Sequence, residues 1–149
     1  MNEIRFYHET DEYGYLSNYW VATIHIEGKS WKSTEHYYQG QKTLDQTYAQ
    51  RIRQAPTCDE AKDLGNDPAC VYRPDWETEK IEAMRVAIRA KFDQHDDLRA
   101  LLLGTGDAIL IEDSRSDYYW GIGEAGTGKN MLGILLMELR QTYVNNETT

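Results

Sequence analysis

The sequence is poor in the features that mark several large classes of protein. It holds two cysteines, Cys58 and Cys70, with no second Cys/His pair at zinc spacing, so reduced thiols are expected. No apolar run reaches the roughly eighteen residues of a membrane-spanning helix. The N-terminal segment MNEIRFYHETDE lacks the cationic and then apolar pattern of a secretion signal. These absences predict a cytoplasmic protein that contacts no membrane.

Positive charge and phenylalanine are also scarce. Sixteen Lys and Arg against 25 Asp and Glu leave a net charge of −9, which argues against a general nucleic-acid binder. A small phosphorylated ligand is still allowed, because a few local cations can hold it. Only two Phe occur, against eleven Tyr and four Trp. Tyrosine and tryptophan side chains, which combine an apolar ring with a polar group, suit semi-polar cores and pockets for flat heterocycles.

Length and patterning predict one α+β domain over residues 1–149, dominated by helices. Short strands are predicted at residues 4–7, 15–20, 21–27 and 108–112, with a turn at Gly28-Lys29. Five helices are predicted. The first runs from Ser33-Thr34 to about Arg53, the second from Thr57 to Gly65, and the fourth over residues 95–103. The third begins at Asp75 and the fifth near Asn130. Apolar spacings of three and four predict the buried stripes Ile81, Met84, Ile88, Phe92 and Leu132, Leu135, Leu136, Leu139, Tyr143.

A glycine-rich loop precedes the last predicted helix. Residues 123–130, GEAGTGKN, miss the phosphate loop G-x-x-x-x-G-K-[ST] by one letter, with Asn130 in place of the magnesium-binding hydroxyl. The preceding segment is too polar for a central strand, and too few residues follow for further βαβ units, so a nucleotide triphosphatase is excluded. The glycines either form a tight loop or admit an anion at a helix N-terminus. An acid and aromatics at residues 117–120 favour a pocket wall.

The first predicted helix carries an unusual polar stripe. Its members share one face at spacings i, i+3, i+4 and i+7: Glu35, Tyr38, Gln39 and Lys42. A solvated face is the ordinary interpretation of such a stripe. The bulk of Trp31 and Tyr37 and the low apolar content of this helix instead favour partial burial, which suits a carboxyl group to acid–base catalysis.

Taken together and in order, these segments resemble the NADAR family almost from end to end. The matching segments are IRFY, YGYLSNY, GKSWKSTEHYYQGQK, AKDLG, RPDW, MRVAIRAKFDQHDDLRALLL and DYYWGIGEAGTGKNMLGILLMELR. The resemblance implies an N-glycosidase that cleaves the C1–N bond of a phosphorylated ribose. No metal or cofactor is expected, because the histidines have no metal-ligand spacing and no H-E-x-x-H motif is present. Two substrate classes are implied: ribosylaminopyrimidine phosphates of the riboflavin pathway, and ADP-ribose on guanine. For the second, a single-stranded nucleic-acid substrate and a cognate ADP-ribosyltransferase toxin are the expected partners.

The resemblance also implies residue roles. Glu35 is expected to stabilise the oxocarbenium character at C1 and to activate water, with Asp117 as a second acid that positions ribose hydroxyls or protonates the leaving base. Lys42 either holds a phosphate or orients Glu35, or it attacks the ring-opened sugar aldehyde as a Schiff-base amine, and Lys29 competes for these roles. The expected substrate-binding residues are Ser17, Asn18, Lys29, Tyr38, Arg73, Trp76, Trp120, Gly121, Gly128 and Asn130.

A function of another class is a non-catalytic module that binds ADP-ribose or NAD without cleaving it. Such a module needs the glycine loop and the aromatic side chains but has no use for a catalytic acid. Substitution of Glu35 therefore separates the two hypotheses.

Overall fold

Two units of close internal packing make up the computed structural model, which describes residues 2–147. The terminal unit comprises the described residues up to Trp20 and from His95 onward, and the central unit comprises Val21–Gln94. Within residues 2–147 the strands are β1 (Glu3–Phe6), β2 (Ile24–Ile26), β3 (Lys29–Trp31) and β4 (Ile109–Glu112). The helices are α1 (Thr34–Gly40), α2 (Gln46–Arg53), α3 (Cys58–Asn66), α4 (Trp76–Gln94), α5 (Asp96–Gly104) and α6 (Met131–Glu147). The predicted helix-dominated α+β class is confirmed.

The terminal unit is built on a pair of parallel strands covered by a helix. Strand β1 pairs with β4 in a register that runs from Glu3 opposite Ile109 to Phe6 opposite Glu112. Helix α6 packs on β4 and buries the predicted stripe, of which Leu132, Leu135, Leu136 and Leu139 are buried and Tyr143 is half-buried. No helix within the described range is long and apolar enough to cross a membrane.

Asn130 joins strand β4 to helix α6 through its side chain. Its backbone is left-handed, with φ of 52°. The Oδ1 atom accepts a hydrogen bond from the Glu112 amide at 2.9 Å, and Nδ2 donates to the Leu110 carbonyl at 2.9 Å. The side-chain amide therefore occupies the edge of β4 much as a neighbouring strand would, and it fixes where α6 begins.

Substitution of Asn130 by alanine is expected to destabilise the fold. The change leaves the Glu112 amide and the Leu110 carbonyl without their partner, which should lower the free energy of unfolding by about 2 kcal/mol. Urea denaturation followed by circular dichroism measures this value. Asn145→Ala, an exposed position near the end of α6, is the control and should stay close to wild type. Equal losses in both variants would contradict the anchoring role.

The central unit combines a hairpin with four packed helices. Strands β2 and β3 pair antiparallel, with Ile24 opposite Trp31 and Ile26 opposite Lys29. The two-residue turn Glu27-Gly28 has positive φ at both positions, 51° and 80°, which matches a hairpin turn of the favoured twist. Helix α1 packs against α2, α3 and α4. The turn thus lies one residue before the predicted Gly28-Lys29, Lys29 begins β3, and this second strand had not been predicted.

Two predicted elements are wrong. The segment 15–20 is not a strand but a 3₁₀ turn at Gly14–Leu16 followed by further turns, in which the Ser17 amide donates to the Gly14 carbonyl at 2.9 Å. Gly14 permits this turn because a side chain there would collide with the backbone of Glu9. Residues 14–18 are buried in succession, which fits a packed turn rather than a pleated strand whose side chains alternate between two faces.

The single helix predicted from Ser33-Thr34 to Arg53 is also wrong, because it is two helices. Helix α1 ends at Gly40, and α2 begins after Asp45, whose side chain accepts from the amides of Thr47 and Tyr48 at 3.0 and 3.3 Å. Asp45 thus caps a new helix, since a carboxylate at this position satisfies otherwise unpaired N–H groups. The described chain therefore has six helices where five were predicted.

Candidate active site

Glu35 lies in the first turn of α1 with its side chain buried. Ser33 caps this helix, since its Oγ accepts from the His36 amide at 3.1 Å, and the capped turn fixes the direction of the residues that follow. Glu35 is only 8% exposed, and Tyr38, Gln39 and Lys42 of the same stripe are also buried. The solvated-face interpretation of the stripe is therefore wrong, and the expected burial of Glu35 is confirmed.

Gln39 holds the Glu35 carboxylate from one turn further along α1. Its Nε2 donates to Glu35 Oε1 at 2.8 Å, whereas its own Oε1 is buried without a hydrogen-bond partner. Helix α3 passes close to this amide at Gly65, where an added Cβ would collide with Gln39 Oε1. The absence of a side chain at Gly65 thus lets Gln39 keep the position from which it orients Glu35.

Lys42 presents an amine with an unusual environment beside the same acid. Its side chain is 5% exposed, and Nζ donates to Asn66 Oδ1 at 2.9 Å. The ammonium also lies over the Tyr72 and Tyr38 rings, 5.2 and 5.7 Å from their centroids. Burial lowers the pKa of Lys42 from its ordinary value of 10.5, and the negative charge of Glu35 opposes part of that shift. The neutral amine is therefore easier to form than on a surface lysine.

An aromatic cluster lies beside Lys42 in the central unit. Trp76, the first residue of α4, is buried, and its ring centroid lies 5.2 Å from that of Tyr38 and 6.5 Å from that of Tyr72. Trp76 therefore packs among other aromatic rings, which agrees with the predicted alternative of core packing. Tyr72 is nearly half exposed, so the cluster also presents aromatic surface to solvent.

The predicted cations Arg73 and Lys29 both line a cavity that does not include Glu35 or Lys42. The Arg73 guanidinium is engaged by Asp75, with Nε and Nη2 donating at 2.6 and 3.1 Å, and this hydrogen bonding raises the pKa of Arg73. Its backbone amide donates to the Lys42 carbonyl at 2.7 Å. Lys29 is exposed on β3.

In the terminal unit, Asp117 is fixed by the backbone that follows it. Its Oδ1 accepts from the amides of Tyr119 and Trp120 at 2.9 and 2.8 Å, so the carboxylate organises the DYYW turn. Trp120 is buried and makes an edge contact with Tyr119, with centroids 4.8 Å apart. Ser17 and Asn18 are buried in the same unit, and Ser17 Oγ accepts from the Tyr19 amide at 3.1 Å.

The glycines of the loop are explained in large part by the loop's own packing. Gly123 and Gly126 have positive φ of 70° and 73°, a conformation that favours glycine. A side chain at Gly128 would collide with the Gly121 carbonyl, and one at Gly121 would crowd Ser114. The tight-loop interpretation thus has a physical basis, whether or not the loop also meets a ligand.

The structure gathers part of the predicted site within the central unit and adds residues that the sequence did not assign. Four of the predicted residues lie close together there: Glu35, Tyr38, Lys42 and Trp76. The terminal unit contains seven others: Ser17, Asn18, Asp117, Trp120, Gly121, Gly128 and Asn130. Gln39 was visible in the stripe but received no role. Asn66 and Tyr72 carry no sequence signal, because they reach Lys42 from 24 and 30 positions away along the chain.

No group of three or more His, Cys, Asp or Glu side chains within residues 2–147 is arranged to hold a metal ion. The central unit places a buried carboxylate beside a buried lysine of lowered pKa. Next to them lies aromatic surface on which a flat ring can stack. Such a set can stabilise a cationic carbon, activate water and attack a carbonyl group.

Comparison with known proteins gives consistent matches over most of the chain. The family model described as the NADAR domain matches residues 5–143. The N-glycosidase YbiA of Escherichia coli K12 is 48% identical over 138 residues, covering 93% of this chain and 86% of YbiA. An NMR structure of E. coli YbiA superposes with a TM-score of 0.91 at 45% identity, covering 99% of this chain and 88% of that one.

Two further relatives carry related names. An N-glycosidase of Nostoc punctiforme is 40% identical over 145 residues, covering 95% of this chain and 93% of the relative. A riboflavin biosynthesis protein of Vibrio vulnificus is 38% identical over 138 residues, covering 93% of this chain but 38% of that longer protein. The similarity thus extends from stand-alone proteins to a part of a larger one.

Proposed function

Because the chain belongs to the NADAR domain family, we propose that it is an N-glycosidase that hydrolyses the C1–N bond between a phosphorylated ribose and a nucleobase-like heterocycle. The observation that carries this proposal is the buried carboxylate of Glu35, held by Gln39 and accompanied by the buried amine of Lys42. A protein that only binds a sugar nucleotide has no need for an oriented acid of this kind. The relatives named N-glycosidase support the same reaction class.

In the proposed reaction the bonding electrons of the C1–N bond leave with the heterocycle, whose nitrogen takes up a proton. Positive charge develops at C1, where the Glu35 carboxylate stabilises it. The same carboxylate then accepts a proton from water as the water oxygen bonds to C1, giving a free sugar phosphate. The predicted second acid, Asp117, belongs to the terminal unit, where two backbone amides donate to its Oδ1, and its role toward a ribose hydroxyl or the leaving base stays a prediction.

Lys42 has a covalent role in this proposal. In this covalent route, which replaces direct attack of water on C1, the ring oxygen first leaves C1 with a proton and C1 becomes an iminium carbon bonded to the heterocycle nitrogen. The neutral amine of Lys42 adds to C1, the heterocycle leaves with a proton, and water activated by Glu35 hydrolyses the resulting lysine imine to the sugar phosphate aldehyde and the free amine. The lowered pKa of Lys42 favours this role, because it makes the nucleophilic neutral amine easier to form. Trp76 and Tyr72 supply aromatic surface for the heterocycle.

The substrate class that we favour is the ribosylaminopyrimidine phosphates of the riboflavin pathway. The support is the riboflavin biosynthesis protein of V. vulnificus, which shares 38% identity across nearly the whole of this chain. ADP-ribose attached to guanine contains the same kind of bond and is the competing substrate, with a cognate transferase toxin and single-stranded nucleic acid as the matching partners.

A paired assay tests the proposed function. Purified protein is incubated separately with the ribosylaminouracil phosphate intermediate and with an oligonucleotide that carries ADP-ribosyl guanine, and free base and free sugar are measured over time. Faster release from the first substrate supports the riboflavin class, and faster release from the second assigns the ADP-ribosyl class. Absence of turnover on both, together with binding of ADP-ribose, would replace the glycosidase by a binding module.

Gly65→Ala is expected to weaken catalysis by displacing Gln39. The new methyl group collides with Gln39 Oε1, so the amide that orients Glu35 must move. We expect turnover to fall about tenfold, with a loss of about 1–3 kcal/mol in the free energy of unfolding from overpacking. Gly104→Ala in α5 is the matched control, since nothing lies within 4 Å of a Cβ added there. Full activity in Gly65→Ala would show that Gln39 does not need this position.

A further inference from the structure

The cavity lined by Arg73 and Lys29 lies on the other side of α1 from the Glu35 stripe. It has a volume of about 240 Å³ and belongs wholly to the central unit. Tyr37 and Gly40 line it, whereas Glu35 and Lys42 do not. With 3.6 residues to each helical turn, positions 37 and 40 point roughly opposite to position 35. The cavity is therefore distinct from the proposed reaction site.

The lining of this cavity is positively charged in a protein of net charge −9. Three cations contribute to it, Lys29, Arg53 and Arg73, against one acid, Glu27. Arg73 is balanced by Asp75, but Arg53 donates only to neutral oxygens, the Ser30 carbonyl at 3.1 Å and Gln50 Oε1 at 3.0 Å. Within the described residues, Lys29 has no ion-pair partner within 4.0 Å. Two cations of the cavity thus lack a counter-charge.

Two buried donors among the lining residues are also unsatisfied. Trp31 is 5% exposed, and its indole Nε1 is buried without a hydrogen-bond partner. Arg53 Nε is buried and unpartnered in the same way. Both atoms can only donate, and a buried donor without an acceptor is costly. An anion in the cavity would balance the two cations, and the Trp31 ring lies in the cavity wall beside it.

We propose that this cavity binds the phosphate group of a small ligand. A phosphate oxygen accepts from planar guanidinium and ammonium N–H groups, and its charge matches that of Arg53 and Lys29. The cavity is smaller than the usual range of about 300–1,000 Å³ for drug-sized ligands, so the occupant is small. Free inorganic phosphate and a pentose phosphate share this chemistry. The site goes beyond the proposed hydrolase activity, because its lining contains neither Glu35 nor Lys42.

The test follows the indole N–H resonance of Trp31 by NMR during titration of the whole protein. Trp31→Phe assigns the signal, and the probes are inorganic phosphate, ribose 5-phosphate and unphosphorylated ribose. We expect a saturable shift with the two phosphates and none with ribose. Whichever of inorganic phosphate and ribose 5-phosphate binds with the lower dissociation constant is the better match to the natural ligand. Arg53→Gln should leave turnover of the preferred substrate unchanged, which separates this site from the reaction site.

Charge variants decide whether the cavity itself is responsible. Arg53→Gln and Lys29→Gln should each weaken phosphate binding about tenfold. Lys29 is exposed, so its variant keeps the test valid if Arg53→Gln fails to fold. Arg51→Gln, on the same helix but outside the cavity, should leave the affinity unchanged. No saturable shift, or equal weakening in the Arg51 variant, would overturn the proposal.

Discussion

Glu35→Gln is expected to remove turnover while the protein stays folded and still binds ligand. Glutamine has the size of glutamate, and its Oε1 can still accept from Gln39 Nε2, so the geometry of α1 is retained. What disappears is the negative charge that stabilises C1 and the base that deprotonates water. The rate constant should fall at least about a thousandfold. Release of free base from the preferred substrate measures it, and ADP-ribose or sugar phosphate binding by calorimetry measures retention of the site.

Glu60→Gln is the matched control for this variant. Glu60 is an exposed glutamate of α3 in the same unit, so its substitution removes one charge without touching the stripe. It should leave turnover unchanged. If Glu35→Gln keeps more than about a tenth of wild-type turnover, a residue other than Glu35 is the acid of this site. If wild-type protein binds ADP-ribose but turns over neither substrate, the binding-module hypothesis replaces the enzyme.

Lys42 is expected to be trapped as a covalent adduct. Borohydride added during turnover reduces an imine to a stable amine, so the wild-type chain should gain the mass of the sugar phosphate on Lys42. Lys42→Met and Lys42→Arg should both lose the adduct and fall in rate by about a hundredfold or more. Peptide mass spectrometry locates the modified residue. If Lys29 of β3 carries the modification instead, Lys29 is the amine that forms the imine, which is the predicted alternative to Lys42.

Lys42→Arg also separates the covalent role from an electrostatic one. Arginine keeps a positive charge at the site but cannot form an imine. If Lys42 only orients Glu35 or holds a phosphate, this variant should retain most of the activity, and no adduct should form in wild type. High activity in Lys42→Arg would therefore contradict the covalent mechanism without affecting the assignment of Glu35.

The pH dependence of the reaction has a definite sign if Lys42 attacks as an amine. Burial lowers the pKa of Lys42, so the neutral form becomes populated below the ordinary value of 10.5. The protonated lysine cannot attack, and kcat/KM should fall as the pH drops below this lowered pKa and level off above it. The charge of Lys62 contributes to lowering the pKa of Lys42. Lys62→Gln should therefore move the acidic limb to higher pH, and an unmoved limb would assign it to another group.

Local patterns in the sequence predicted the elements that depend on local interactions. Strand β4 and helices α3 and α5 fall within one or two residues of their predicted ends, and α6 begins one residue after the predicted start at Asn130, because apolar spacing and capping residues act over a few positions. The polar stripe was also visible, since helical spacing alone puts Glu35, Gln39 and Lys42 on one face. The sequence did not show that Asp45 caps a new helix, α2, because the residues around Asp45 are compatible both with a cap and with one continuous helix.

Tertiary structure decided which face of the stripe became a site. Helical spacing alone fits a solvated face and a buried one equally well, and only packing against α3 and α4 buries Glu35 and lowers the pKa of Lys42. Asn66 and Tyr72 reach Lys42 only after the chain has folded back on itself. The sequence by itself determined which side chains share a helix face. Burial and long-range contacts, which arise only in the folded chain, determined the chemistry these side chains can perform.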